Sequence, residues 1–157
     1  MGLDMYLTAS RYVSGIRDTD KTAFAQILGG AGLTEDDVSL ASLPHLEIAV
    51  SVGYWRKANA IHQWFVEHVQ EGEDKCEKHV VNREQLSELR ALCLTVLQTE
   101  NVEAAGQNVL PTQSGFFFGS TAYDEGYIAD LRLTAEIINK ALSSRFDGWE
   151  FTYQSSW

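Results

Sequence analysis

Apolar and polar side chains alternate at the start of the chain, which is the pattern of a β-strand with one buried face. The buried face of this predicted strand consists of Leu3, Met5, Leu7 and Ala9. A second alternating run comprises Leu46, Ile48, Val50 and Val52. The C-terminal end alternates in the same way through Trp149, Phe151 and Tyr153, and residues 78–81 are interpreted as a short strand. The pattern therefore predicts three strands and a fourth, shorter one.

Three other segments carry apolar residues at helical spacing and are predicted to be amphipathic helices. The first covers residues 54–69, with a stripe of Tyr54, Ala58, Ile61, Phe65 and Val69. The second begins at Asn82, which forms a capping box with Gln85, and its stripe is Leu86, Leu89, Cys93, Val96 and Leu97. The third begins near Asp124, whose charge suits the positive end of a helix. Its inward residues are Tyr127, Ile128, Leu131, Ala135, Ile138 and Leu142.

Residues 14–44 have the weakest pattern, with four glycines, a short helical pattern near residues 20–28 and a helix-start signal at residues 34–37. We interpret this stretch as a small helical insertion. The order of elements shows no regular strand–helix repeat, which disfavours a doubly wound parallel sheet. The sequence predicts one α+β domain over residues 1–157, with a mostly antiparallel sheet and about three main helices on one face.

The composition supports this assignment and limits the classes of protein. The chain has 157 residues, of which 45% are hydrophobic, enough for one domain with a full core. No apolar run is long enough for a membrane span, and the start lacks the features of a signal peptide, so we expect a cytoplasmic protein. Cys76 and Cys93 form no metal-binding pattern. We expect no metal site and no cofactor.

The formal net charge is −10. This charge disfavours binding to nucleic acid polymers or anionic membranes, because both favour clustered Lys and Arg. A small anionic ligand is still compatible with it, since a pocket needs only a few local donors.

The first candidate site segment runs from Gly53 to His62. If it is helical, Trp55, Asn59 and His62 form one strip and Arg56 lies one turn from Asn59. These side chains would then converge near a helix start, where free backbone N–H groups favour anions. The alternative is that Trp55 packs at the edge of the core and the other residues form a solvated face.

The second candidate segment runs from Leu110 to Ser120. It contains three consecutive phenylalanines, which cannot all face one side of a strand, and flanking glycines that permit close approach of the backbone. Aromatic faces beside uncharged polar groups suit a base or a sugar. The candidate ligand-binding residues here are Thr112, Gln113, Ser114, Phe117 and Ser120. The alternative is a tight turn whose phenylalanines fill the core.

The third candidate segment is the C-terminal end, where Tyr153 and Gln154 are candidate ligand-binding residues. Chain ends are usually polar and frayed, so an aromatic end closing on Trp157 indicates that the tail is tied down. It would pack on the domain, line a pocket or enter a dimer contact.

Sequence motifs for catalysis are sparse. The chain has no GxSxG, HExxH or phosphate-loop motif, and its four histidines are scattered. His62 would form an acid–base pair with Asp4, Asp124 or Glu125 only if the fold brought them together. Acidic residues at helix starts are more often caps. We therefore name no catalytic residue and favour a protein that is not an enzyme.

Four stretches of the sequence resemble a family of small phage and prophage proteins that has no settled function. They are GLDMYL, VGYWRKANAIHQWFV, LPTQSGFFFGSTAYDE and YQSSW. The similarity covers residues 2–7 and most of the chain from residue 46 onward, and does not extend to residues 14–44. It implies phage origin and action inside a bacterium. Some members carry kinase-like names, but this chain has neither a phosphate loop nor the size of a two-domain sugar-phosphate kinase.

These observations lead to three functional hypotheses. In the first, the protein binds a nucleotide immune signal and sequesters it from host defence. Trp55, the phenylalanine run and Tyr153 would stack on bases, and Arg56, Lys57 and His62 would contact phosphate. A homodimer or larger oligomer would help to enclose the ligand.

The second hypothesis is a small phosphoesterase or nucleotide hydrolase that uses His62. The third is an inhibitor that binds a host protein through a flat aromatic patch.

Overall fold

The computed structural model describes residues 2–38 and 44–157. The chain divides into two compact units, one formed by Met1–Ala9 with Ser51–Trp157 and the other by Ser10–Val50. The insertion predicted at residues 14–44 lies within the second unit, and its residues 39–43 lie outside the described part of the chain. None of the helices in the described ranges is long and apolar enough to cross a membrane.

The fold is α+β, as predicted. The strands are β1 (Asp4–Ser14), β2 (His45–Arg56), β3 (His79–Val81) and β4 (Glu150–Ser156). They form an antiparallel sheet with the order β2-β1-β4-β3, in which His79 of β3 faces Tyr153 of β4. The α-helices within the described ranges are α1 (Lys21–Gly30), α2 (Asn59–His68), α3 (Arg83–Leu97), α4 (Val102–Val109) and α5 (Glu125–Ala141).

The core of the first unit lies between one face of the sheet and the helices. The predicted inward residues of β1 are all fully buried, and Phe151 and Tyr153 of β4 join them. The predicted stripe of α3 is confirmed, since Leu86, Leu89 and Cys93 have no exposed surface. Burying apolar side chains in this way is the main favourable term in folding.

Two helix starts agree with the capping signals in the sequence. The Asn82 side chain accepts a hydrogen bond from the Gln85 backbone, and the Gln85 side chain accepts one from the Asn82 backbone. Asp124 accepts hydrogen bonds from the N–H groups of Gly126 and Tyr127 at the start of α5. A short polar side chain at these positions satisfies N–H groups that the helix leaves unpaired.

The prediction of a helix over residues 54–69 is wrong for its first turn. Tyr54, Trp55 and Arg56 are the last residues of β2, and α2 begins only at Asn59. In this stretch Trp55 is buried whereas Tyr54 and Arg56 are exposed, which is strand alternation. The Lys57 N–H donates a hydrogen bond to the Leu3 carbonyl. Backbone pairing with the N-terminal segment therefore continues to Lys57, within the stretch whose apolar spacing predicted a helix.

Helix α4 lies between the second and third predicted helices, where the sequence pattern predicts no helix. Eight residues with a central glycine give little helical periodicity. The glycine is needed for packing, since a Cβ atom at Gly106 would lie 2.6 Å from the Tyr123 ring. The close approach of Tyr123 to α4 therefore explains the glycine. Because the sequence does not show this contact, it does not predict a helix with a glycine at its centre.

The second unit has its own small core, consisting of Val13, Phe24 and Leu28 with Leu46 and Ile48 packed against it. Helix α1 occupies the region where the sequence indicated a short helix. The signal at residues 34–37 produces only a 3-10 turn, Glu35–Asp37, with a capping box between Thr34 and Asp37.

Candidate functional site

The junction between β2 and α2 lies against the segment from Leu110 to Ala122, so the structure brings two of the three candidate segments together. Asn59 makes the connection and is 4% exposed. Its side-chain NH₂ donates to the carbonyl oxygens of Phe118 (3.1 Å) and Ser120 (2.8 Å). Its side-chain oxygen accepts from the Gln113 N–H at 3.0 Å. Asn59 therefore holds the loop in place through two donated hydrogen bonds and one accepted hydrogen bond.

The backbone at this junction is unusual on both sides. Lys57 has φ of 59° and Gly119 has φ of 96°, so both occupy the left-handed region. A Cβ atom at Gly119 would lie 3.0 Å from the Lys57 Cβ and 3.1 Å from its carbonyl oxygen. Only glycine permits this close approach at a positive φ. The approach fixes the position of Lys57 relative to the loop.

A cavity of about 250 Å³ lies at this junction. Its wall is made by the end of β2, the start of α2, the loop and the first two turns of α5. Four of the predicted ligand-binding residues line it, namely Arg56, Asn59, Thr112 and Ser120. The volume is slightly below the range typical of pockets for drug-sized ligands, so it suits a group the size of a phosphoryl or a sugar.

Two consecutive cationic residues bring positive charge to this cavity. Arg56 and Lys57 both line it, and Arg56 lies 3.8 Å from the Asp4 carboxylate with more than half of its side chain exposed. Ala58 is the N-cap of α2 and supplies no capping side chain. The N–H groups in the first turn of a helix have no partner within the helix and carry partial positive charge. Ala60 and Ile61 of this turn line the cavity.

Two carboxylates from the start of α5 line the cavity as well. Asp124 is occupied as the cap of its helix. Asp130 has no ion-pair partner among the described residues, and burial, followed by repulsion from Asp124, raises its pKa from 3.8 to about 6. A carboxyl with a perturbed pKa in a cleft is typical of a functional site. The cavity therefore presents both cationic donors and one acidic acceptor.

Trp55 does not lie in the cavity, contrary to the prediction of a helical strip that included it. It is 1% exposed, and its indole N–H donates to the Thr134 hydroxyl at 2.9 Å. The strip is wrong because Trp55 belongs to β2 and points into the core. The alternative considered for Trp55, packing with the core, describes it better.

His62 and Tyr153 are also buried, and neither of them lines the cavity. His62 Nδ1 lies 2.7 Å from the Tyr153 hydroxyl, and its Nε2 lies 2.9 Å from the Asp74 carboxylate. The Tyr153 ring stacks on Phe65 at 3.9 Å, and burial raises its pKa well above the usual value. Both ring nitrogens of His62 are thus engaged, one by Tyr153 and the other by Asp74.

The C-terminal segment is tied down, as its aromatic residues suggested. The Trp157 indole N–H donates to Asp74 at 3.1 Å, and the Gln154 side chain donates to the Cys76 carbonyl at the same distance. These contacts join the last strand to the segment between α2 and β3. Gln154 does not line the cavity at Arg56.

The three phenylalanines divide into one buried ring and two exposed rings that contact each other, with centroids 4.1 Å apart. Phe118 is 9% exposed, whereas Phe116 and Phe117 are 83% and 46% exposed. The Phe117 carbonyl accepts from the Leu3 N–H at 3.5 Å, next to the Arg56 and Lys57 side chains. Gln113 and Ser114 are exposed and do not line the cavity.

Sequence reasoning missed Asp130 as a cavity residue and Asp74 as the partner of His62. Asp130 lies in the second turn of α5, where its sequence context resembles that of any solvated helical carboxylate. Asp74 lies in a polar stretch that gives no sign of its contacts. Six residues separate Asp130 from Asp124, which is about 120° around the helix axis, so helical spacing does not predict that both line one cavity.

Residues 2–38 and 44–157 contain no group of three His, Cys, Asp or Glu side chains arranged to hold a metal ion. No family model matches the chain, and no curated protein or solved structure matches it.

Proposed function

We propose that the protein binds a small anionic ligand in the cavity between the start of α2, the loop at residues 112–122 and the start of α5. The observation that carries the proposal is the combination of an uncapped helix start with Arg56 and Lys57 in one cavity. Free N–H groups and cationic side chains at a helix start favour a phosphate or carboxylate.

The size and charge of the cavity restrict the ligand further. A cavity of about 250 Å³ holds a phosphoryl group with part of a sugar, but not a whole dinucleotide. Asp130 would accept a hydrogen bond from a hydroxyl or amino group of the same ligand. The base of a nucleotide would lie outside, where Phe116 and Phe117 provide exposed rings. Base–aromatic stacking contributes roughly 1–3 kcal/mol.

Our more specific proposal is that the protein is of phage origin and sequesters a nucleotide immune signal in the bacterial cytoplasm. The similarity to phage proteins and the absence of a nucleophile motif support it. Trp55 and Tyr153 would not stack on this ligand, because both are in the core. A dimer is compatible with the small cavity, since a second copy would cover a base that extends outside.

The test is a thermal-shift panel of nucleoside monophosphates, cyclic dinucleotides and cyclic ADP-ribose species, followed by recovery of the bound compound after heating. We expect one class to raise the melting temperature and to be released intact. Arg56→Gln should reduce its affinity about tenfold or more, since a charged hydrogen bond is worth about 1.5–3 kcal/mol. Lys78→Gln removes an exposed lysine outside the cavity and should leave affinity unchanged.

The proposal fails if none of these compounds shifts the melting temperature. It also fails if a shift occurs and both substitutions, Arg56→Gln and Lys57→Gln, leave it unaltered. Each result can be interpreted when the ligand-free variants have the same melting temperature as the ligand-free wild-type protein.

One observation favours an enzyme as the second candidate, namely the raised pKa of Asp130 in a cavity that Arg56 and Lys57 also line. A carboxylate with a pKa near 6 is suited to general base catalysis near neutral pH, and Arg56 would stabilise negative charge on a phosphoester. His62, the base in the initial enzyme hypothesis, is buried and engaged on both nitrogens. Recovery of a cleaved product from wild-type protein, but not from Asp130→Asn, would favour this alternative.

A further inference from the structure

A second cavity, of about 240 Å³, is formed by the segment that joins α2 to β3. Its lining includes Gln70, Glu71, Glu73, Lys75, Glu77 and His79. None of these residues lines the cavity at Arg56.

Gln70 is the unusual member of this lining. It is 2% exposed, and neither its side-chain oxygen nor its side-chain nitrogen has a hydrogen-bond partner among the described residues. The Nε2 atom of His79 is buried without a partner as well. Buried polar groups in proteins are nearly always paired with protein, water or ligand, because leaving them unpaired costs free energy. Three unpaired polar atoms in the lining of one cavity therefore indicate that something polar occupies it.

The charged side chains around this cavity indicate the sign of the charge on its occupant. Lys75 pairs with Glu73. The charge of Glu77 also acts on Lys75, and Glu71 has no ion-pair partner among the described residues. Three glutamates against one lysine leave the lining with net negative charge. A neutral amide oxygen, an imidazole nitrogen and carboxylates together can accept several N–H hydrogen bonds. No three ligating side chains are grouped for a metal ion within the described ranges.

We propose that this second cavity binds a small organic cation with several N–H donors, of the guanidinium or alkylammonium class. Gln70 Oε1 and His79 Nε2 would accept its hydrogen bonds, and Glu71 and Glu77 would supply the opposite charge. The protein would thus have two separate sites, one for an anion and one for a cation. The inference does not depend on the function proposed above, since the two cavities share no lining residue.

The proposal is tested by titrating ¹⁵N-labelled protein with agmatine and with methylguanidine at low and moderate ionic strength. We expect saturable amide shifts concentrated in residues 69–79. Gln70→Leu should weaken the binding about tenfold or more, because it removes a buried hydrogen-bond acceptor. Glu77→Gln changes an exposed residue, keeps the fold and should weaken it about threefold.

Two substitutions serve as matched controls. Glu88→Gln removes an exposed carboxylate on α3, and Gln98→Leu replaces an exposed glutamine at the end of that helix. Both should leave the affinity unchanged. Shifts spread over the acidic surface, equal effects of Glu77→Gln and Glu88→Gln, or the absence of any saturable shift would each overturn the proposal. If Gln70→Leu does not fold, the comparison of Glu77→Gln with Glu88→Gln tests the proposal.

Discussion

Replacement of Asp130 by asparagine should make the protein more stable near neutral pH. The carboxyl is partly buried beside Asp124, and these two features raise its pKa from 3.8 to about 6. When the pKa of a group is higher in the folded state than in the unfolded state, its protonation stabilises the fold. This stabilisation is complete below the unfolded-state pKa and is lost as the pH rises through the folded-state pKa. Above about pH 6 the ionised carboxylate therefore destabilises the fold, and an uncharged amide of the same shape does not.

The size of the effect follows from the change in pKa. A rise from 3.8 to about 6 corresponds to at most about 3 kcal/mol at 1.36 kcal/mol for each pH unit. Partial exposure of the carboxyl to solvent reduces this to about 1–2 kcal/mol. We expect Asp130→Asn to raise the free energy of unfolding by that amount at about pH 7.5, and by close to zero at about pH 3.5.

The assay is urea denaturation of both proteins at the two pH values, with the slopes compared to confirm that the same surface unfolds. Glu136→Gln, an exposed residue further along α5, is the control and should change stability by less than about 0.5 kcal/mol. A variant that is no more stable at neutral pH, or whose gain persists unchanged in acid, would refute the interpretation of Asp130 as a strained cavity carboxyl.

Further predictions concern the framework around the two cavities. Asn59→Ala removes three hydrogen bonds to the loop and should lower the free energy of unfolding by about 2–4 kcal/mol; urea denaturation would contradict this if the loss were below 1 kcal/mol. Tyr153→Phe keeps the ring that stacks on Phe65 but removes the hydroxyl partner of His62, and should cost about 1–3 kcal/mol in the same assay. Burial raises the pKa of the Cys93 thiol to about 12, so a thiol reagent should label only Cys76 in the native protein and both cysteines in urea. Labelling of two thiols in the native state would show that Cys93 is accessible.

The sequence predicted those parts of the fold that depend on local patterns. Alternation identified β1 and β4, and the caps at Asn82 and Asp124 identified the starts of α3 and α5. The prediction failed at residues 54–58, where pairing with Leu3 extends β2 and delays the helix. Tertiary contacts decided this boundary, and a local pattern contains no information about them.

The candidate site was predicted in part for the same reason. Arg56, Asn59, Thr112 and Ser120 do meet at one cavity, because the β2–α2 junction packs on the loop. The aromatic residues were expected at the site because they suit a nucleotide, yet Trp55 and Tyr153 are in the core. A large aromatic side chain satisfies a core position and a stacking position equally well, so the residue type alone does not distinguish them.

The central claim is that the start of α2 receives an anionic group, and backbone amides report on this most directly. Titration of ¹⁵N-labelled protein with adenosine monophosphate, and separately with inorganic phosphate, should shift the amides of Ala60 and Ile61 most strongly and saturably. The shifts should weaken in Arg56→Gln and persist in Lys78→Gln. Shifts centred elsewhere, or no saturable change at Ala60 and Ile61 with either compound, would contradict the claim.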